Sequence, residues 1–119
     1  MAEVARGIAA IAEPLKPDVI VTAEASGIPP AMATSLELGL PMIYAKKYVT
    51  PGPRHSFSRD VASATKGSGY SIDIRQRVID PGQRALVVDD FLVQGRTAVA
   101  LGEIIEEARC EMLGAAFAV

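Results

Sequence analysis

Ala85-Leu-Val-Val-Asp-Asp-Phe-Leu-Val-Gln-Gly-Arg-Thr97 is the stretch of sequence that decides the fold. Its apolar residues Ala85–Val88 predict a buried parallel strand, and open α/β sheets place their ligands at the carboxyl ends of such strands. Asp89 and Asp90 follow at that end. The segment Val93–Thr97 is predicted to open a helix, whose N-terminal N–H groups and dipole favour an anion such as phosphate. The alternative is a plain turn with an N-cap and no ligand. The helix itself is indicated by apolar residues at helical spacing, namely Leu101, Ile104, Ile105 and Ala108.

The composition indicates one domain with a substantial core. The chain has 119 residues, of which 50% are hydrophobic, and we assign residues 1–119 to a single domain. It lacks both an apolar run of the ~20 residues that a membrane-spanning helix needs and a signal-type N-terminus, so we expect a cytoplasmic protein with no membrane partner. A net charge of −2 argues against nucleic acid as a partner. Cys110 is the single cysteine and cannot form an internal disulfide.

Helical and strand patterns alternate through the first half of the chain. A helical repeat from Val4 to Leu15 is closed by Pro14 and Pro17. A buried strand is predicted over 18–23, a turn over 24–27, a helix from Pro29 to Gly39, and a second strand over 41–45. This βαβ order predicts an α/β fold with an open parallel twisted sheet flanked by helices.

The middle of the chain is predicted to be irregular. Tyr48–Ser58 carries Pro51, Gly52 and Pro53, so we expect a loop that is long enough to act as a lid. The segments 61–66 and 70–75 predict a small hairpin around Gly67-Ser-Gly69, and 112–119 predicts a last strand. Basic residues predominate from 46 to 66, which suits a polyanionic ligand, although such charges usually belong to a solvated surface.

Residues 89–96, Asp-Asp-Phe-Leu-Val-Gln-Gly-Arg, resemble the phosphoribosyl pyrophosphate signature of the type I phosphoribosyltransferases. Gln94 and Arg96 stand where Thr and Gly are usual in that family, and the xanthine phosphoribosyltransferase branch departs at the same place. Val21-Thr-Ala-Glu-Ala-Ser-Gly-Ile-Pro-Pro30 is similar to the pyrophosphate loop of that branch, and residues 41–47 and 63–66 also resemble it. The resemblance covers nearly the whole chain and implies the type I phosphoribosyltransferase core.

This resemblance implies a reaction in which a purine base displaces pyrophosphate from phosphoribosyl pyrophosphate. Asp89 and Asp90 would be the catalytic residues, accepting hydrogen bonds from the ribose hydroxyls near the positive charge that develops on the ring. The 5′-phosphate would be bound mainly by main-chain N–H groups of one loop, formed by Val93, Gln94, Gly95, Arg96 and Thr97. Whether the side chain of Arg96 contacts phosphate or solvent is left open by the sequence.

The pyrophosphate leaving group would face a second loop and one lysine, namely Glu24, Ala25, Ser26, Gly27 and Lys47. Gly27 would permit close approach of the backbone. A plain turn in which Ser26 caps the following helix is the competing interpretation. Lys47 is preferred over Lys46 because it lies farther out of the predicted strand.

The resemblance also implies Mg²⁺, held mainly by oxygens of the substrate, and a homodimer. Arg54, Arg59 and Lys66 are candidate lid cations, and His55 is expected to be a lid residue rather than a catalyst.

Base selectivity in this family comes from a hood outside the core, and we expect that hood to be largely absent here. Xanthine is the first choice of base by motif similarity, followed by adenine or another purine. The alternative function is a non-catalytic domain that senses phosphoribosyl pyrophosphate, as in purine-operon repressors. A generic nucleotide-binding α/β domain is a third and weaker hypothesis.

Overall fold

The computed structural model describes residues 2–48, 55–61, 69–90 and 95–118. Three helices lie within these residues: α1 (Ala2–Ala12), α2 (Ile28–Leu38) and α3 (Arg96–Glu107). The strands are β1 (Val19–Ala23), β2 (Met42–Tyr48), β3 (Ser56–Val61), β4 (Tyr70–Arg75), β5 (Arg84–Asp90) and β6 (Glu111–Ala118). Short 3₁₀ turns cover Glu13–Leu15 and Gln76–Val78.

The strands form one sheet in the order β3-β4-β2-β1-β5-β6. The four strands β2, β1, β5 and β6 are parallel, whereas β4 runs antiparallel to both β2 and β3. The α/β prediction is therefore confirmed, and the sheet is mixed because the hairpin continues it. Since β4 is antiparallel to β2, its first residue, Tyr70, lies near the carboxyl end of β2.

The core has two layers, one on each face of the sheet. Ile20, Leu86 and Val88 form the layer beneath α1 and α2. The residues that alternate with them, such as Val21 and Val87, form the larger layer with α3. All five residues of β1 are buried, as predicted for a central parallel strand.

The first two helices bury small residues and leave large apolar side chains exposed. In α1 the buried residues are Ala5, Ala9 and Ala12, whereas Ile11 is 78% exposed. In α2, Leu36 is likewise 78% exposed. Small residues line the contact, and this lets α1 and α2 approach each other and the sheet closely.

The structure corrects the prediction for residues 48–66. Tyr48 ends β2, and Ser56, Phe57 and Ser58 begin β3, so these residues are not loop; residues 49–54 lie outside the described part. The first hairpin strand is Ser56–Val61 rather than 61–66, and residues 62–68 are also outside it. Phe57 packs against the core, whereas Ser56 and Ser58 lie on the other face of the strand. Because this face is polar, the sequence predicts a loop here.

Candidate functional site

The two sequence motifs that carry the resemblance meet at one edge of the sheet. β1 and β5 are parallel neighbours, with Val21 paired to Val87. Their carboxyl ends therefore lie side by side, and the turn 24–27 after β1 faces Asp89 and Asp90 at the end of β5. The two aspartates belong to the strand itself rather than following it.

Gly27 makes the closest approach between the two motifs. A Cβ placed on Gly27 would lie 2.3 Å from Asp89 Oδ1 and 2.3 Å from Thr22 Oγ1. These side chains are short and buried, so they have little room to withdraw. Gly27 is thus required by space, since its own φ of −77° is accessible to any residue.

Two buried oxygens beside Gly27 have no hydrogen-bond partner within the described residues: Asp89 Oδ2 and Thr22 Oγ1. The other carboxylate oxygen of Asp89 accepts a hydrogen bond from the Asp90 backbone N–H at 2.7 Å. Buried polar atoms in proteins are nearly always paired with protein or water. A carboxylate oxygen and a hydroxyl that lie close together without partners among the described residues indicate a place where a polar ligand would supply the missing hydrogen bonds.

Burial changes the acidity of Asp89. The residue is 1% exposed, and desolvation raises the pKa of its carboxyl to about 6. The Asp90 N–H bond lowers the pKa, and the neighbouring Asp90 charge raises it, but both effects are smaller than desolvation. A carboxylate with this pKa is a better proton acceptor near neutral pH than an ordinary aspartate.

Backbone hydrogen bonds hold the turn 24–27 in place. Glu24 N–H donates to Ala45 O at 3.1 Å, and Ile28 N–H donates to Ala25 O at 3.2 Å. The peptide bond between Glu24 and Ala25 is cis. Gly27 is the N-cap of α2 and no side chain caps it, so the competing interpretation of Ser26 as the cap is wrong. Ser26 is exposed at the same edge.

The predicted phosphate loop is only partly within the described residues, since Val93 and Gln94 lie outside them. Gly95 has a φ of +79°, a left-handed conformation that favours glycine, and it precedes α3. Arg96 begins the helix and is exposed. Thr97 is 2% exposed, and its hydroxyl lies 2.7 Å from the hydroxyl of Tyr70.

Lys47 lies on β2, beside the pair formed by Tyr70 and Thr97. Its Nζ is 4.3 Å from the centre of the Tyr70 ring, within the range of a cation–π interaction. Lys46 points to the opposite face of the sheet, where its cross-strand neighbour is Asp73. The structure therefore separates the two lysines and leaves Lys47 on the face that carries Thr97.

The candidate lid cations do not form one group. Arg54 and Lys66 lie outside the described residues. Arg59 lies in β3, where it pairs with Glu107 of α3 at 2.7 Å, so its prediction as a lid residue is wrong. His55 O accepts a hydrogen bond from Gln76 N–H, which places His55 at the opposite edge of the sheet from Asp89.

Among the described residues there is no group of three His, Cys, Asp or Glu side chains that could hold a metal ion. The orphaned Asp89 Oδ2, next to Asp90, is a donor of the type that Mg²⁺ prefers. The carboxylate pair fits a metal that brings most of its own ligands.

A cavity of about 320 Å³ lies along β2 and β4, on the face of the sheet opposite Lys47 and Thr97. Tyr44, Lys46 and Asp73 are among the residues that line it, and Asp89 and Gly27 are not. It is therefore separate from the edge where the two motifs meet.

Sequence reasoning missed Thr22 and Tyr70 as residues of this edge. Thr22 carried a signal, because it is the one polar residue in the apolar run Val19–Ala23. Tyr70 carried none, since its contacts with Lys47 and Thr97 join residues far apart in the sequence.

No helix in the described part of the chain is long and apolar enough to cross a membrane.

Curated relatives match most of this chain. The xanthine phosphoribosyltransferase of Chloroflexus aurantiacus is 45% identical over 107 residues, which are 90% of this chain and 51% of that protein. The xanthine phosphoribosyltransferase of Deinococcus deserti is 40% identical over 104 residues, 85% of this chain and 53% of that protein. The chain thus spans about half the length of the curated relatives it matches.

Solved structures share the fold. Adenine phosphoribosyltransferase from Thermoanaerobacter pseudethanolicus aligns with a TM-score of 0.83 at 23% identity, covering 97% of this chain and 65% of that one. The Saccharomyces cerevisiae enzyme, complexed with an imino-altritol bisphosphate and adenine, aligns with a TM-score of 0.81 at 22% identity over 98% of this chain and 65% of that one. The family model for the phosphoribosyl transferase domain matches residues 1–119. The chain therefore belongs to the phosphoribosyltransferase family.

Proposed function

We propose that this protein transfers a phosphoribosyl group from phosphoribosyl pyrophosphate to a purine base, with xanthine as the first candidate base. The observation that carries the proposal is the buried Asp89 against Gly27 at the carboxyl edge of two parallel strands, with one carboxylate oxygen that has no partner in the described part of the chain. Xanthine is favoured because the curated relatives at 40–45% identity are xanthine phosphoribosyltransferases. Adenine or another purine comes next.

In the proposed mechanism the residues bind and orient the donor rather than attack it. Asp89 and Asp90 accept hydrogen bonds from the ribose hydroxyls, and their charge favours the positive charge that develops on the sugar ring. As the base nitrogen bonds to C1′, the bond between C1′ and the pyrophosphate oxygen breaks, and the raised pKa of Asp89 suits it to accept the proton that the base nitrogen loses. Mg²⁺, held mainly by oxygens of the donor, would offset the charge of the pyrophosphate, and Asp89 and Asp90 are the carboxylates of this edge that could help to hold it.

The two loops divide the anionic ends of the donor between them. The amides of Glu24–Gly27 and the ammonium of Lys47 receive pyrophosphate, and Ser26 supplies an exposed hydroxyl. The loop Val93–Thr97 receives the 5′-phosphate, for which the left-handed Gly95 sets the direction of the first helical N–H groups. A homodimer and a location in the cytoplasm belong to the same proposal.

The decisive experiment incubates the chain with phosphoribosyl pyrophosphate, Mg²⁺ and separately xanthine, hypoxanthine, guanine or adenine, and measures pyrophosphate and nucleotide. We expect turnover with xanthine to be the fastest. Asp90→Asn should reduce kcat/KM about tenfold or more, because it removes a charge-assisted hydrogen bond. Asp80→Asn, at the opposite edge of the sheet, is the matched control and should leave kcat/KM within twofold.

A second candidate function is a domain that senses phosphoribosyl pyrophosphate without catalysing transfer. The described donor site would serve this function equally well. Binding of phosphoribosyl pyrophosphate with no nucleotide formed from any of the four bases would establish this alternative and reject the enzyme.

A further inference from the structure

Tyr70 joins two parts of the candidate site that come from distant segments of the chain. It is the first residue of β4, whereas Lys47 lies on β2 and Thr97 in the first turn of α3. Its hydroxyl is 2.7 Å from Thr97 Oγ1, and its ring centre is 4.3 Å from Lys47 Nζ. One side chain thus contacts a residue assigned to the 5′-phosphate and another assigned to pyrophosphate.

The hydrogen bond between the Tyr70 and Thr97 hydroxyls can orient the proton of Thr97. A threonine hydroxyl can donate one hydrogen bond and accept two. When Tyr70 donates to Thr97 Oγ1, the proton of Thr97 is directed away from Tyr70 and is available to a phosphate oxygen. Thr97 is 2% exposed, so the hydrogen bond between the two hydroxyls is shielded from bulk water.

The ring contact orients the second group. Lys47 is an exposed side chain on a four-carbon stem, and such side chains lose conformational entropy when a ligand fixes them. Its ammonium over the ring of Tyr70 is attracted to the aromatic face and is partly fixed before any ligand arrives. Tyr70 therefore contacts both Lys47 and Thr97.

We propose that Tyr70 is a positioning residue that sets the Thr97 hydroxyl for the 5′-phosphate and the Lys47 ammonium for pyrophosphate. This inference rests on the proposed function, because it assumes that the edge binds phosphoribosyl pyrophosphate. It extends that function by assigning the two ends of the donor to two separable parts of one side chain.

The test measures binding by calorimetry on the whole chain, with Mg²⁺ and three probes: phosphoribosyl pyrophosphate, ribose 5-phosphate and inorganic pyrophosphate. Tyr70→Phe keeps the ring and removes the hydroxyl, so ribose 5-phosphate should bind about 3- to 10-fold more weakly while pyrophosphate binding is unchanged. Tyr70→Leu also removes the ring, so both probes should bind more weakly. Tyr44→Phe, on the other face of the sheet, is the matched control and should change neither affinity.

A double-mutant cycle separates positioning from general loss of structure. If Tyr70 acts through Thr97, Tyr70→Phe should have no further effect on ribose 5-phosphate binding once Thr97→Val is present. An equal effect in both backgrounds would overturn the hydroxyl link. Unchanged pyrophosphate binding in Tyr70→Leu would overturn the Lys47 link. Failure of the unmodified chain to bind any of the three probes would instead reject the proposed function.

Discussion

The adjacent residues Asp89 and Asp90 have unlike surroundings. Successive residues of a strand point to opposite faces of the sheet, so the two carboxylates have different neighbours. Asp89 is buried against Gly27, whereas Asp90 is half-buried. Asp89 Oδ2 has no partner within the described residues, and a buried acceptor without a partner costs free energy that a bound ligand would recover.

Asp89→Asn should therefore make the chain more stable at neutral pH and bind the donor more weakly. The folded-state pKa of about 6 lies above the ordinary 3.8, so the contribution of Asp89 to wild-type stability is most favourable below pH 4 and falls as pH rises to about 6. Asparagine does not ionise. Its advantage in unfolding free energy should grow across that window to about 1–3 kcal/mol.

The measurement is urea unfolding of both proteins at intervals from pH 3.5 to pH 7.5. Asp80→Asn serves as the control for loss of an exposed carboxylate. A stability difference between Asp89→Asn and wild type that does not change between pH 4 and pH 6.5 would show that the Asp89 carboxyl is not desolvated in the folded chain.

Gly27→Ala tests the close approach of the two motifs. The added Cβ would lie 2.3 Å from both Asp89 Oδ1 and Thr22 Oγ1, so the turn or the carboxylate must shift. We expect a loss of at least tenfold in affinity for phosphoribosyl pyrophosphate and destabilisation of about 1–3 kcal/mol, typical of overpacking. Calorimetry and urea unfolding measure the two effects.

Gly7→Ala is the control for that substitution. Gly7 lies within α1, and nothing stands within 4 Å of its added Cβ. The change should raise stability by up to about 1 kcal/mol through helix propensity and leave ligand affinity unaltered. If Gly27→Ala bound the donor as tightly as Gly7→Ala does, the turn 24–27 would not face the ligand.

At the level of single residues, the sequence predicts those candidate site residues that local patterns mark. Asp89 lies at the end of an apolar strand, and Gly27 and Gly95 precede helices, so their place could be read from neighbours along the chain. Tyr70 could not, because its role depends on β4 being placed beside β2 and near the start of α3. Thr22 is intermediate, since a buried polar residue in an apolar strand is visible in sequence but its partner is not.

At the level of elements, the central strands were easier to predict than those of the hairpin. β1 and β5 are covered on both faces and read as continuous apolar runs. β3 is covered on one face only, by α3, and its other face carries Ser56, Ser58 and Asp60. The boundaries predicted for β3 are wrong because alternating polar residues next to Pro and Gly have the pattern of a loop.

Arg84 ties together three segments at the edge opposite the site. Its guanidinium donates to Leu15 O at 2.7 Å, to Lys16 O at 3.2 Å and to Glu111 Oε2 at 2.9 Å. Arg84→Met should lower the unfolding free energy by about 1–2 kcal/mol, since several hydrogen bonds are lost from a partly exposed position. Affinity for phosphoribosyl pyrophosphate should stay within twofold.

Arg77→Met is the control, because Arg77 is exposed in the turn after β4, and its unfolding free energy should change by less than about 0.5 kcal/mol. If Arg84→Met lowered ligand affinity as much as it lowered stability, the contacts at the start of β5 would be coupled to ligand binding at the end of β5.

At the level of the whole molecule, the strand order β4-β2-β1-β5 brings the described residues of the proposed donor site to one edge of the sheet. These residues come from four strands, one helix and the turn 24–27, between positions 22 and 97, all within a chain that spans about half the length of its curated relatives. We therefore expect the donor to bind to this chain without a base. Ligand that binds only the folded state stabilises it by an amount that grows with concentration.

Phosphoribosyl pyrophosphate with Mg²⁺ should accordingly raise the midpoint of thermal unfolding, on the order of 10 °C at a hundredfold excess over Kd. The shift should increase steadily with the logarithm of donor concentration, and Gly27→Ala should show little of it at the same concentrations. Xanthine alone should give a much smaller shift, because the edge described here presents carboxylates and amides suited to ribose and phosphate. A shift with xanthine alone as large as that with the donor would mean that the base, rather than the sugar phosphate, is the primary ligand of this edge.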